Sequence, residues 1–135
     1  MKPVIGCLVG ICFTIVITGC SIKESKTEKL RDLEFTVVEK ESLPDELLEL
    51  IEEKKEKPMK LTYGDKKYCY IVKGYGSQKT SGYSIEITDL YETQNAIYIH
   101  TNLLGPASKE KVERIATFPY VVAKIESNKK NLIFD

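Results

Sequence analysis

Met59-Lys60-Leu61-Thr62-Tyr63-Gly64-Asp65-Lys66-Lys67-Tyr68-Cys69-Tyr70-Ile71-Val72-Lys73 is where the chain changes period. Before it, apolar residues recur at helical spacing. Within it, apolar and polar residues alternate on either side of Gly64-Asp65-Lys66-Lys67, the pattern of two strands joined by a tight turn. β-Branched and aromatic residues dominate both arms, and such side chains pack well on a pleated surface. The alternation returns in Tyr83–Thr88, Ala96–Thr101, Lys111–Thr117, Tyr120–Ile125 and Asn131–Phe134, with Asn, Gly/Pro and Ser/Asn clusters between them. Short strands at this spacing predict a mainly β (α+β) domain, a small antiparallel sandwich or barrel.

N-terminal to the decisive stretch, Leu33-Glu34-Phe35-Thr36-Val37-Val38 reads as a first strand. A helix follows over about Pro44–Lys57: Ser42 is placed to cap it, Pro44 suits the first turn, and Pro58 stops it. Asp45 and Glu46 lie near its positive end, and Lys54, Lys55 and Lys57 near its negative end. Leu43, Leu47, Leu48, Leu50 and Ile51 form an apolar stripe, so this one helix should pack on the β structure. Glu46, Glu49, Glu52, Glu53 and Glu56, with lysines in reach, read as its solvated face.

Further back, Val4–Thr18 carries no charge and ends in Ile17-Thr18-Gly19-Cys20-Ser21. It is shorter than the ~20 apolar residues of a spanning helix and fits the h-region of an export signal. The small residues before Cys20 resemble a bacterial lipobox, which implies cleavage after residue 19 and lipid on Cys20. The expected organisation is a signal peptide over 1–19, a polar tether over 20–32 and a domain over 33–135. The expected location is the outer face of a bacterial membrane, held by lipid. Removal of 1–19 takes Cys7 and Cys12 with it, so Cys69 becomes the only free thiol and no intrachain disulfide is possible. Flanked by Tyr68 and Tyr70, it reads as a small buried residue.

Composition narrows the function classes. The chain has 135 residues, 42% of them hydrophobic, enough for one domain. Its 20 basic and 20 acidic residues leave no net field to draw in nucleic acid. With one histidine, His100, and few cysteines, the parts for metal or nucleophile chemistry are scarce. The expectation is a non-enzyme with no cofactor, no metal and no small-molecule substrate.

The remaining signal is Gly74-Tyr75-Gly76-Ser77-Gln78-Lys79-Thr80-Ser81-Gly82. It is not a phosphate loop, because an alternating strand follows where a helix is required. Three glycines in nine positions raise the entropy cost of ordering, so either a contact function or an awkward backbone path is expected there. Tyr75 and Tyr83 flank this loop, and Phe118-Pro119-Tyr120 interrupts two later strands.

These segments carry a family resemblance. Tyr70-Ile71-Val72, Gly74-Tyr75-Gly76, Thr80-Ser81-Gly82-Tyr83-Ser84-Ile85-Glu86-Ile87, Leu104-Gly105-Pro106 and Phe118-Pro119-Tyr120-Val121-Val122-Ala123-Lys124-Ile125 look like the C-terminal domain of the protease-complex subunit PrcB, over about Met59–Phe134. Lys79, Ser81 and Phe118 stand where that family has Pro, Gly and Tyr. The resemblance implies a lipoprotein that assembles with a surface protease without catalysis of its own. Its partner-binding residues would be Tyr75, Thr80, Gly82, Tyr83, Phe118, Pro119 and Tyr120. Lys79-Thr80-Ser81-Gly82-Tyr83 is also similar to the Asn-Pro-Thr-Thr-Gly-Tyr loop of chagasin-like cysteine-protease inhibitors, which implies an alternative role as an inhibitor.

Overall fold

The computed structural model describes residues 28–135. The expected signal peptide over 1–19, the expected lipid site Cys20 and most of the expected 20–32 tether therefore lie outside the described residues. Eight strands and one α-helix follow in order: β1 (Arg31–Asp32), β2 (Thr36–Val37), α1 (Asp45–Lys54), β3 (Pro58–Gly64), β4 (Tyr68–Tyr75), β5 (Ser84–Glu92), β6 (Ala96–Leu104), β7 (Tyr120–Glu126) and β8 (Asn131–Phe134). They build two four-stranded sheets, β1-β5-β6-β8 and β2-β7-β4-β3. The architecture is a sandwich, not a barrel, with the helix as a third layer on the second sheet.

Two clusters fill the space between layers. Ile71, Ala123 and Ile125 of the second sheet meet Leu90, Ile97 and Ile99 of the first, with Cys69 and Phe134 packed alongside. On the other face of the second sheet, Leu43, Leu47 and Ile51 cover Met59, Tyr70, Val72 and Val122. Because both its faces are buried, this sheet needs runs of large apolar residues where a one-sided sheet would alternate. Tyr70-Ile71-Val72 and Val121-Val122-Ala123 supply them.

The ten-residue helix is too short to persist alone and depends on that packing. Leu47 and Ile51, one turn apart, are fully buried, while Glu46, Glu49, Glu52 and Glu53 face solvent as the stripe requires. Its N-cap is Pro44 and no side chain caps it. Ser42 instead ends a short 3₁₀ turn over Lys40–Ser42.

Four expectations need correction. The first strand is two: β1 pairs with β5 in one sheet and β2 with β7 in the other. The chain changes sheets between them, with the Leu33 amide donating to Leu90 O and the Val38 amide to Val122 O. The tether also ends earlier than Asp32, since Leu30 already donates to Glu92 O. Lys111–Thr117 is not a strand. Its apolar residues Val112 and Ile115 are three apart, which no pleat accommodates on one face, and only Thr117 pairs, as an isolated bridge to Gln78. Finally, β8 departs from the antiparallel rule by running parallel to β6.

Candidate functional site

The β4–β5 and β6–β7 connections, residues 76–83 and 105–119, meet at one end of the sandwich and are tied to each other. The Gln78 amide donates to Thr117 O (2.8 Å) and the Thr117 amide to Gln78 O (3.0 Å). Ser81 N donates to Glu113 O (3.0 Å), and Glu113 N donates back to Ser81 Oγ (2.9 Å). The Thr117 hydroxyl donates to Thr80 O at 2.7 Å. Glycine is required at the crossing: Gly82 has φ +91°, and a Cβ there would lie 2.8 Å from Pro106 Cβ. Gly82 thus serves a close crossing of two segments, and the pair is a built surface.

The seven residues singled out from the sequence all reach this end, in three separate roles. Tyr75 is an internal strut. Half-buried, it places its hydroxyl 2.6 Å from Thr101 Oγ1 across the sandwich, under the Lys73 ammonium 4.7 Å from the ring centroid. Its amide donates to Pro119 O, tying β4 to the second loop. Phe118 and Tyr120 belong to the helix side: Lys55 Nζ lies 5.2 Å from the Phe118 ring centroid, and Tyr120 packs on the helix–sheet cluster, where burial pushes its hydroxyl pKa up. Thr80, Gly82 and Tyr83 form the crossing, with the Thr80 hydroxyl turned onto Ser81 O and Gly105 beside the Tyr83 ring. Sequence reasoning missed Leu104 and Ile115, exposed at 43% and 53% on this end. An apolar residue isolated among charges, as in Glu113-Arg114-Ile115, was the available signal for the second.

Elsewhere the chemistry is modest. Burial pushes the Cys69 thiol up, away from the reactive thiolate. His100 sits on the outer face of the first sheet with Nδ1 3.2 Å from Asp135 O. Among the described residues no group of three His, Cys, Asp or Glu could hold a metal ion, and no helix is long and apolar enough to cross a membrane. At the end opposite the loops, Glu92 accepts from Arg31 Nε and from Lys130 Nζ (2.9 Å), which holds its carboxyl below the ordinary range. Beside it a cleft of about 600 Å³ is lined by Phe35, Tyr68, Lys124 and Glu126, among others.

Fold and site together define a helix-covered β-sandwich domain that presents a braced pair of loops at one end. Residues 69–126 match the family model described as PrcB C-terminal. The match runs from β4 to β7 and contains both loops, so the resemblance read from the motifs holds over the part of the chain that builds the site. No curated protein and no solved structure matches the chain.

Proposed function

We propose that this chain is a non-catalytic accessory subunit of a protease complex, lipid-anchored through Cys20 on the outer side of a bacterial membrane, and that the loop pair is its docking surface. The observation that carries the reading is the cross-tying of 76–83 to 105–119 inside the PrcB-like segment. A surface ordered before binding loses less entropy on association than a free loop would. Exposed Leu104 and Ile115, at the same end of the sandwich, supply the apolar contact area that interfaces need. Insertion of the loop into a cysteine-protease cleft fits less well, because Gln78, Thr80 and Ser81 already spend backbone groups on Thr117 and Glu113.

The test is co-purification from solubilised envelope with wild type and an Ile115→Glu variant, each checked for equal thermal stability. The reading expects a protease to accompany the wild type at a stoichiometry near one and to be lost with the variant. Equal recovery in both would remove the docking assignment. Intact mass of the native protein tests the anchor: an unmodified Cys20 or a retained 1–19 segment would refute it.

A further inference from the structure

The chain enters the domain at the end opposite the loop pair. Leu30 is bonded to Glu92 beside the β5–β6 turn, and the β3–β4 turn and the β7–β8 turn reach the same end. We propose that this end lies on the lipid surface and that Lys66, Lys67 and Lys129 contact anionic phospholipid headgroups, an inference that rests on lipid attachment at Cys20.

The span from Cys20 to Leu30 is at most about 35 Å, the contour length of about ten residues. β5 alone is about 30 Å long, so the tether holds the domain within its own length of the bilayer and keeps the Leu30 end nearer. The tips of the two turns at that end carry exposed Lys66, Lys67 and Lys129, and among the described residues none of the three is in an ion pair. Of the nearby carboxylates, Glu92 and Asp32 are ion-paired, whereas Asp65, Glu34 and Glu126 are in no ion pair among the described residues. Asp65 accepts from the amides of Lys67 (2.8 Å) and Tyr68 (2.7 Å), Glu92 is held by Arg31 and Lys130, and Asp32 by Lys29. Glu34 and Glu126 line the cleft. Leu30, Phe35 and Tyr68 are exposed at 56%, 38% and 37% on the same end. Apolar and aromatic groups beside lysines suit a headgroup layer, where each cation near the surface is attracted.

The experiment uses the native acylated protein in vesicles of phosphatidylcholine alone or with phosphatidylglycerol, at physiological salt. Amine-reactive labelling is read lysine by lysine by mass spectrometry. The expected result is at least three-fold slower labelling of Lys66, Lys67 and Lys129 in the anionic vesicles, with Lys79, Lys109 and Lys111 on the loop end unchanged. A Lys66→Glu/Lys67→Glu variant should lose the protection at Lys129. Equal labelling in the two vesicle types would overturn the headgroup contact, and protection of the loop-end lysines would overturn the orientation. Protein that sediments with neither vesicle would overturn the Cys20 anchor and this proposal with it, an outcome distinct from the other two.

Discussion

The two sheets of this domain are held in different ways. The β2-β7-β4-β3 sheet lies between the helix and its companion, apolar on both faces, and layer packing secures it. The β1-β5-β6-β8 sheet is packed on one face only. Its outer face carries Tyr91 and Tyr98, stacked with centroids 5.3 Å apart, and Ile133, 40% exposed. It is tied instead at its ends: Glu92 joins β1, β5 and the 127–130 turn at one, and Gly82 seats the crossed loops at the other. One sheet depends on area buried at both faces, the other on area buried at one face together with a few polar or conformational ties.

The largest test of this contrast is Leu47→Ala. Leu47 is fully buried under the helix, so its truncation should cost about 2–5 kcal/mol in chemical denaturation. Ile133→Ala on the uncovered face should cost under about 1 kcal/mol. Equal costs would end the distinction between the sheets. Next is Gly82→Ala, which forces φ +91° on an alanine and a clash with Pro106. It should cost about 1–3 kcal/mol and speed amide exchange at Ser81 and Glu113 more than in β4.

Glu92 gives a pH signature of somewhat smaller size. Its hydrogen bonds from Arg31 and Lys130 lower its folded pKa, so its contribution is present above the unfolded carboxyl value and is lost as pH falls through the folded one. Glu92→Gln should cost about 1–2 kcal/mol at pH 7 and flatten the acid limb of the stability curve. Part of that limb should survive, because Asp65 is lowered by the Tyr68 and Lys67 amides and titrates with the same sign. An unchanged limb in the variant would mean that Glu92 is no tie. The smallest effect is the cross-strand coupling of Tyr91 with Tyr98, about 0.5–1 kcal/mol in a double-mutant cycle.

The same contrast explains what the sequence discloses. The helix and the covered sheet were legible because burial writes itself as stripes and runs: Leu47 and Ile51 one turn apart, Tyr70-Ile71-Val72 unbroken. Alternation in Tyr98-Ile99-His100-Thr101 likewise sets His100 with Tyr98 on the face opposite Ile99. Alternation names a face but not a neighbour, so the change of sheet at Leu33–Phe35 and the parallel seat of β8 were out of reach. At the loop end, residue type drew attention to Tyr75, whereas its hydroxyl contact with Thr101, 26 positions on, is a tertiary fact. The crossing partners Thr117 and Glu113 have no local signature because main-chain groups make most of the bonds.

The uncovered sheet takes one edge strand from the beginning of the described chain and the other from its end: β1 at Arg31–Asp32 and β8 at Asn131–Phe134. Synthesis delivers β1 before, and β8 after, every other strand described, so the sheet stays incomplete until Phe134 has arrived. Trimming five residues from the C-terminus would strip β8 from β6 and uncover the flank of Ile97 and Ile99.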